Sequence, residues 1–407
     1  MKIRNVKGGY DFLPKEQRIR NYINNILRET FEEYGYKSIE TPILCYYDIL
    51  SDKYDENNDI LKEIYRLKDQ GNRDLGLRYD LTIPFAKFIA LNKNNISFPF
   101  KRYEINKVFR DGPVKVGRDR EFTQCDIDVC GIEGQFIEAE LLSLYVKAFN
   151  KLNIDFIIKY NSRNLMNGLI IESNIKENLI SSVTTTLDKK DKVSKLEFNE
   201  MLYELGLESN QISSINKYFN MNLNELSNEF KDTNNELIKK GLEEIFNLDN
   251  YLKGIDIDKY CEFSIGIARG QNYYTGNVFE VYDKTGKVKG SIGAGGRYDN
   301  IIGSFVNDGN NYPTVGISFG LSCIYEILKD KDIFNDRSET DFYIIPMNTD
   351  IEALKLANNL RNLGYKVEIE MNKRKLKKSM EYANKENIPY VIVLGEEEIN
   401  NNYFNNN

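Results

Sequence analysis

The segment from Glu121 to Gly131 constrains the fold most, because its apolar and polar side chains alternate residue by residue. In a β-strand, alternate side chains point to opposite faces of the sheet. One face would carry Thr123, Cys125, Ile127 and Val129. The other face would carry Gln124, Asp126 and Asp128. The chain is therefore predicted to contain a sheet with one face against a core, while the polar face either lines a cavity or faces solvent.

A second predicted strand, residues 102–110, precedes this segment and is joined to it by a loop. A helix is predicted for residues 15–34, because apolar residues recur there every three or four positions. Residues 170–253 are polar with helical spacing and indicate a helical insertion, whereas residues 262–305 return to a β pattern. These elements define a predicted N-terminal domain, residues 1–328.

The sequence pattern changes near residue 340. A charged stretch at residues 329–340 is typical of a linker, and beyond it strand-like and helix-like segments alternate in the order βαβαβ. That order predicts a small α/β domain with a parallel sheet at residues 341–407. The chain ends in an asparagine-rich stretch without a core-forming pattern, so we expect this domain to be truncated.

The composition excludes several classes of site. The 407 residues include no histidine, which excludes Ser-His-Asp and Cys-His machinery, histidine proton shuttles and histidine-ligated metals. The five cysteines form no CxxC pair, so no disulfide framework or metal site is predicted. The net charge of −7 means that an RNA partner would need a local basic patch. Without an apolar span or an N-terminal signal segment, we expect a cytoplasmic protein with no membrane contact.

Four arginines are candidate ligand-binding residues. Arg110, Arg118 and Arg120 flank the loop between the two predicted strands, and Arg269 begins a segment that precedes another strand. Guanidinium groups at the ends of a sheet suit a ligand with phosphate and carboxylate groups. Alternatively, these arginines form ion pairs with acidic side chains on the surface and bind no ligand. A cluster of three glycines either approaches a substrate closely or forms a tight turn. These glycines are Gly293, Gly295 and Gly296.

Five segments, in this order, resemble the motifs of class II histidyl-tRNA synthetases. They are residues 77–86 (LRYDLTIPFA), 101–110 (KRYEINKVFR), 117–126 (GRDREFTQCD), 268–276 (ARGQNYYTG) and 294–299 (AGGRYD). The resemblance covers nearly the whole chain. It implies an α+β fold, in which a class II synthetase-type antiparallel sheet is flanked by helices and has a helical insertion. A C-terminal α/β domain similar to anticodon-binding domains would follow.

The resemblance also implies roles for individual residues. The implied catalytic residues are Arg269, Arg110 and Gln124. The implied histidine-binding residues are Asp80, Thr82, Gln124, Asp128, Tyr273 and Tyr274. The implied ATP-binding residues are Arg110, Arg118 and Arg120. A carboxylate and a phenol, from Asp128 and Tyr274, can pair with both imidazole nitrogens, and such a site rejects apolar isosteres strongly.

The implied reaction is ATP-dependent formation of histidyl-adenylate, followed by transfer of histidine to tRNA(His). ATP would bind with Mg²⁺ on its phosphates, and arginines would neutralise the charge of the transition state. A basic cluster in the C-terminal domain is expected to contact tRNA phosphates, although a solvated helix face explains it equally well. This cluster consists of Lys373, Arg374, Lys375, Lys377 and Lys378. The resemblance further implies a homodimer and no DNA partner.

Two departures from the motifs leave other functions open. Ser322 and Cys323 stand where the third class II motif has a Glu-Arg pair, whose arginine clamps the ATP γ-phosphate. Gly112 stands where the second motif has a glutamate. One alternative is therefore a non-catalytic, histidine-sensing regulatory subunit of ATP phosphoribosyltransferase. The other is a paralogue without activity.

Overall fold

A computed structural model describes residues 2–51, 59–190, 193–268, 273–334 and 338–401. The chain divides into two compact units, Met1–Asp330 and Lys331–Asn407. No helix in the described part of the chain is both long enough and apolar enough to span a membrane.

The first unit contains strands β1 to β11 and helices α1 to α13 among its described residues. The strands are β1 (Lys37–Ser38), β2 (Leu44–Tyr46), β3 (Arg66–Lys68), β4 (Asp74–Leu77), β5 (Phe100–Phe109), β6 (Glu121–Cys130), β7 (Phe156–Ser162), β8 (Cys261–Phe263), β9 (Asn277–Asp283), β10 (Ser291–Arg297) and β11 (Thr314–Gly320). The helices are α1 (Pro14–Glu33), α2 (Tyr47–Ser51), α3 (Asp59–Glu63), α4 (Thr82–Asn92), α5 (Phe136–Lys151), α6 (Arg163–Glu172), α7 (Ile180–Leu187), α8 (Lys195–Glu204), α9 (Ser209–Tyr218), α10 (Leu223–Glu229), α11 (Glu236–Gly254), α12 (Asp299–Val306) and α13 (Leu321–Leu328).

Eight strands form the main sheet of this unit, in the order β1-β5-β6-β11-β10-β9-β7-β8. Neighbouring strands are antiparallel except at the two ends, where β1 with β5 and β7 with β8 are parallel pairs. In this register Asp128 of β6 lies opposite Arg102 of β5 and Gly316 of β11. The predicted antiparallel sheet flanked by helices is therefore confirmed. Strands β2, β4 and β3 form a separate small antiparallel sheet.

The apolar face of β6 packs against helices, as its alternation predicts. Ile127 and Val129 are fully buried. On the neighbouring strand β11, the ring of Phe319 lies 5.7 Å from the ring of Phe31 in α1. The same ring lies 4.7 Å from that of Tyr145 in α5. These two helices therefore cover the apolar face and leave the polar face of the sheet for a site.

Helices α6 to α11 occupy most of residues 163–254, and glycines bring two of them close together. A Cβ on Gly241 of α11 would lie 2.2 Å from the backbone nitrogen of Leu165 in α6. Similarly, a Cβ on Gly168 would lie 2.8 Å from the backbone nitrogen of Ile238. Both approaches are shorter than van der Waals contact, so only glycine permits this packing. Helix α11 is thereby fixed beside the start of α6.

The second unit is a three-layer α/β fold. Its elements are β12 (Phe342–Pro346), α14 (Asp350–Asn362), β13 (Val367–Ile369), α15 (Leu376–Lys385), β14 (Tyr390–Leu394) and α16 (Glu396–Asn401). Strand β12 lies between β13 and β14, and all three are parallel. Ile344 packs with Ala353 of α14 on one face, while Tyr343 packs with Ala383 of α15 on the other. The predicted βαβαβ order is confirmed.

Candidate active site

A cavity of about 200 Å³ lies on the polar face of the main sheet. Seven of the predicted site residues line it: Asp80, Thr82, Arg110, Gln124, Asp128, Tyr273 and Tyr274. They come from separate segments of the chain and are brought together by the order of the strands. The polar face of β6 therefore lines a cavity, and the alternative prediction that this face is exposed to solvent is wrong.

Glycine backbone forms part of the cavity lining, at Gly293, Gly295 and Gly316. We call these three residues, together with Gly296 behind the ring of Tyr274, the glycine wall. Gly293, Gly295 and Gly296 lie within strand β10, so they do not form a tight turn. A Cβ on Gly316 would lie 1.9 Å from Oδ1 of Asp128, and a Cβ on Gly296 would lie 2.8 Å from the ring of Tyr274. The absence of side chains therefore lets Asp128 and Tyr274 pack directly against the strands.

Asp80 and Thr82 lie where the chain enters α4. Oδ1 of Asp80 accepts hydrogen bonds from the backbone nitrogens of Thr82 and Ile83, each at 3.1 Å. These bonds satisfy two of the N–H groups that a helix leaves free at its N-terminus. Because the Asp80 side chain is nearly fully buried and anchored this way, its carboxylate is held in the cavity lining.

Asp128 is held by a buried arginine and a buried tyrosine. Nη2 of Arg102 lies 2.5 Å from Oδ2 of Asp128, and the Tyr298 hydroxyl donates a hydrogen bond to Oδ1. Burial raises the pKa of Asp128, and the neighbouring Arg102 and Tyr298 oppose that shift. The fully buried guanidinium of Arg102 also lies over the ring of Phe85, 4.5 Å from its centroid. Arg102 is therefore the cation that allows a carboxylate to exist in this interior.

Asp126 and Gln124 contribute further polar atoms to the cavity. Burial raises the pKa of Asp126 to about 7, an effect that Arg102 opposes and Asp128 reinforces. Among the described residues, Oδ1 of Asp126 and Oε1 of Gln124 are buried without a hydrogen-bond partner. Two buried, unpaired acceptors in one cavity are unusual in proteins and indicate a ligand that donates hydrogen bonds.

Replacing Asp126 with asparagine is expected to stabilise the protein more at about pH 8 than at about pH 5. The pKa of this carboxyl is about 7 in the folded protein and about 3.9 in an unfolded chain. The folded protein therefore keeps this carboxyl protonated at pH values where the unfolded chain ionises it. The stability that the protonated form contributes is complete below the pKa of the unfolded chain and is lost as the pH rises through the pKa of the folded protein. Urea unfolding at both pH values measures the difference. An equal effect of the substitution at both would contradict the assignment.

Arg110 follows β5 directly and also lines the cavity. Its guanidinium carbon lies 4.2 Å from the ring centroid of Tyr79 and 5.0 Å from that of Phe122. Nε of Arg110 donates a hydrogen bond to the carbonyl oxygen of Tyr79 at 3.2 Å. The two aromatic rings restrict the guanidinium to one plane, so it is preorganised to bind an anion.

Of the remaining predicted arginines, Arg118 and Arg120 do not line the cavity. Arg118 lies in the loop between β5 and β6, where its backbone pairs with Lys115. Arg120 forms an ion pair with Asp111 at 3.0 Å. Arg269 lies outside the described residues. The roles of these three residues stay predictions.

The residues at the third-motif position contact the loop between β5 and β6. The Ser322 hydroxyl donates a hydrogen bond to Oδ2 of Asp119 at 3.0 Å, and Sγ of Cys323 lies 3.6 Å from the carbonyl oxygen of Gly117. Ser322 and Cys323 thus bind this loop to the start of α13. At Gly112, a Cβ would lie 2.9 Å from Oε1 of Glu63, so a carboxylate from α3 occupies the space beside this glycine.

Sequence reasoning missed three residues of the site: Arg102, Asp126 and Tyr298. Asp126 was placed on the polar face of its strand but was given no role. Tyr298 lies in the AGGRYD segment and Arg102 in the KRYEINKVFR segment, so both were within recognised motifs. Only the register of β5 against β6 reveals that Arg102 lies opposite Asp128.

The basic cluster of the second unit lies around the start of α15, and its side chains are exposed. Lys373 pairs with Asp350 at 3.4 Å. Arg374 pairs with Glu370 at 3.6 Å and lies over the ring of Tyr382. The exposed pair of Lys373 with Asp350 contributes little to stability, so this lysine remains accessible to a polyanion. The partner of Arg374 is the buried Glu370, so this arginine is held more firmly.

Each of the two units matches a known protein family. The model of the family described as histidyl-tRNA synthetase matches residues 8–324, and the model described as anticodon binding domain matches residues 341–405. A histidine–tRNA ligase of Bacillus cereus (strain ZK / E33L) is 48% identical over 401 residues, which cover 98% of this chain and 94% of that protein.

Two solved structures resemble the protein over nearly its whole length. A histidyl-tRNA synthetase from Nostoc sp. PCC 7120 superposes with a TM-score of 0.85 at 29% identity, covering 98% of this chain and 93% of that one. An ATP phosphoribosyltransferase regulatory subunit/histidyl-tRNA synthetase from Bacillus halodurans has a TM-score of 0.80 at 22% identity, covering 96% and 97%. The latter identity supports the fold alone. From the family match over most of its length and the 48% identical relative, the chain belongs to the histidyl-tRNA synthetase family.

Proposed function

We propose that the protein is a histidine–tRNA ligase, which uses ATP to form histidyl-adenylate and then transfers histidine to tRNA(His). One observation supports this most directly. A single cavity is lined by Arg110, by the carboxylates of Asp80 and Asp128, and by Tyr274. Arg110 and Asp128 are separated along the strands, because the backbone of Arg110 pairs with Arg120 whereas Asp128 lies opposite Arg102. That distribution of charge matches an amino acid with a basic side chain whose carboxylate must meet a phosphate.

At the amino-acid end, we assign the α-ammonium group of histidine to Asp80 and Thr82. The imidazole would donate a hydrogen bond to Asp128, while the Tyr274 hydroxyl would pair with the second ring nitrogen. A thiophene or phenyl ring in the same place would leave the buried Asp128 carboxylate without that bond, which costs about 1–3 kcal/mol or more. Selectivity for histidine then follows from polar groups that only its side chain satisfies.

At the phosphate end, we assign the ATP α-phosphate to Arg110. The carboxylate oxygen of histidine attacks the α-phosphorus, the new C–O–P bond forms, and pyrophosphate leaves. Since the attacking carboxylate is already ionised, no general base is required, in agreement with a chain that contains no histidine. Arg110 stabilises the negative charge that accumulates on the α-phosphate oxygens. Gln124, Arg118, Arg120 and Arg269 are proposed to help orient the two substrates, and Mg²⁺ enters with the ATP phosphates.

The test is histidine-dependent exchange of pyrophosphate into ATP, measured on the purified protein without tRNA. Exchange above a control without histidine is the expected result, and it would show that Ser322 and Cys323 are compatible with adenylation. Histidine binding by calorimetry without any exchange would instead support the regulatory-subunit function. Absence of both would support an inactive paralogue.

We propose that the second unit binds tRNA through its basic cluster. In a variant with Lys377 and Lys378 changed to alanine, the KM for tRNA is expected to rise about 3–10-fold, because fewer contacts to phosphates release fewer counterions from the RNA. Exchange without tRNA should not change. Charging assays at two salt concentrations provide the measurement, with Lys355 and Lys385 changed to alanine as the matched control. If both the KM for tRNA and its salt dependence are unchanged, the basic cluster does not contact tRNA.

We also propose that the protein is a cytoplasmic homodimer. The small sheet β2-β4-β3 exposes apolar side chains, of which Leu44 and Tyr46 are each 49% exposed. Apolar side chains on neighbouring positions of one sheet suit a second copy of the chain. Light scattering at micromolar concentration should give twice the mass of 47.4 kDa, and a monomer mass would contradict the proposal.

A further inference from the structure

The segment that bears Tyr273 and Tyr274 is bound on both sides by the junction of β7 and α6. We call residues 161–164 of this junction the β7–α6 corner. On the N-terminal side of the segment, Nδ2 of Asn161 donates to the carbonyl oxygens of Ile265 at 3.1 Å and Ile267 at 3.0 Å. Nη1 of Arg163 donates to the carbonyl oxygen of Ala268 at 2.8 Å.

On the C-terminal side, the same corner makes two more hydrogen bonds. The backbone nitrogen of Arg163 donates to the carbonyl oxygen of Gly276 at 2.9 Å. Nδ2 of Asn164 donates to the carbonyl oxygen of Thr275 at 3.2 Å, directly after Tyr274. The corner is therefore bonded to backbone groups on both sides of the two tyrosines, and its position determines theirs.

Glu244 of α11 holds the corner in place. Its Oε2 accepts a hydrogen bond from the Ser162 hydroxyl at 2.6 Å, and its Oε1 accepts one from Nδ2 of Asn164 at 2.8 Å. Ser162 in turn caps α6, since its hydroxyl oxygen accepts from the backbone nitrogens of Asn164 and Leu165. Glu244 is only 7% exposed. Burying a carboxylate is costly unless hydrogen bonds compensate, so its two neutral donors stabilise one specific geometry.

The two tyrosines are on the cavity side of this assembly. Both line the cavity, and Tyr274 is 7% exposed with its ring packed against the backbone of Gly296. We propose that Glu244 is a positioning residue for the histidine end of the cavity, acting through Ser162 and Asn164 on the segment that holds Tyr273 and Tyr274. The inference rests on the proposed function, because it assigns the tyrosines to the amino-acid end.

The test compares three variants in pyrophosphate exchange. Glu244→Ala is expected to raise the KM for histidine about tenfold while the KM for ATP stays within twofold, because only the amino-acid end of the cavity is displaced. Glu244→Gln retains an acceptor for Asn164 but loses the bond to Ser162, whose hydroxyl oxygen already accepts two backbone N–H groups. Its KM for histidine should therefore rise clearly less than that of Glu244→Ala. Glu243→Ala is the matched control, since it removes the exposed neighbouring carboxylate on the same helix.

Distinct outcomes separate this inference from the proposed function. Equal increases in both KM values, or a Glu244→Gln variant as impaired as Glu244→Ala, would overturn the positioning role. If Glu244→Ala does not fold, Glu244→Asp serves instead. Its shorter side chain cannot reach both donors, and an unchanged KM for histidine would then overturn the inference. Failure of the wild-type protein to catalyse histidine-dependent exchange would overturn the proposed function, and calorimetric histidine affinity would then test the role of Glu244.

Discussion

Replacing Arg102 with methionine is expected to reduce histidine-dependent exchange more than about 100-fold and to lower the free energy of unfolding by about 3–5 kcal/mol. The substitution keeps most of the side-chain volume but removes the cation that lies 2.5 Å from the Asp128 carboxylate. Asp128 is only 3% exposed, so it would remain as an uncompensated buried charge or become protonated. Protonation would remove the ionised acceptor proposed for the imidazole, whereas an uncompensated charge would leave that acceptor without the cation that holds it in place. Urea unfolding and pyrophosphate exchange measure the two effects.

Two further variants identify the cause of that loss. Adding Asp128→Asn to Arg102→Met should recover a large part of the stability, because the unpaired charge is gone, but it should not recover exchange. Arg66→Met is the matched control. Arg66 pairs with Asp74 at 3.2 Å while 57% of its side chain is exposed, so the cost should be within about 1 kcal/mol. An Arg102→Met protein as stable as the wild type would show that Asp128 does not depend on this cation.

Replacing Arg110 with alanine is expected to lower kcat/KM for exchange about 10²–10³-fold with little change in melting temperature. The guanidinium lines the cavity beside the rings of Tyr79 and Phe122, where we propose that it stabilises the charge developing on the α-phosphate without reorganising. Arg110→Lys should recover only a small part of the activity, because an ammonium group has neither the planar fork nor the stacking of a guanidinium.

The control for this prediction is a surface arginine of similar chemistry. Arg73 forms an ion pair with Asp69 at 2.6 Å while 63% of its side chain is exposed, and Arg73→Ala should leave exchange within about twofold. Single-turnover measurements would separate the chemical step from ATP binding. An Arg110→Ala protein with at least a tenth of wild-type kcat/KM would contradict the assignment of this residue to the α-phosphate.

The main features of the fold were predictable because they depend on local periodicity. The alternation in β6 predicted both faces of the sheet, and the βαβαβ order predicted the second unit. The polar lining from Gln124 to Asp128 followed from the same period of two. What could not be predicted depends on register and on contacts between distant segments. The pairing of Arg102 with Asp128 requires the exact alignment of two strands, which their intervening loop does not reveal.

Long-range polar contacts were the other gap. Glu244 lies 80 residues from Asn164 in the sequence, and its helix shows the same apolar periodicity as any surface helix. Nothing in that pattern marks one glutamate among several as buried. Likewise, Arg110, Arg118 and Arg120 are equivalent as sequence letters, yet of these three only Arg110 lines the cavity. Its guanidinium bonds to the carbonyl oxygen of Tyr79, whereas that of Arg120 pairs with Asp111.

The glycine wall has a consequence for drug resistance. Side chains can be exchanged to exclude an inhibitor, but backbone cannot, and at Gly316 or Gly296 even one added methyl group would collide with Asp128 or Tyr274. A compound that derives its affinity from lying flat against strands β10 and β11 would therefore face a surface with few viable escape mutations. Resistance would have to arise at lining residues that carry side chains, such as Gln124 or Thr82, which are also proposed to bind the natural substrate.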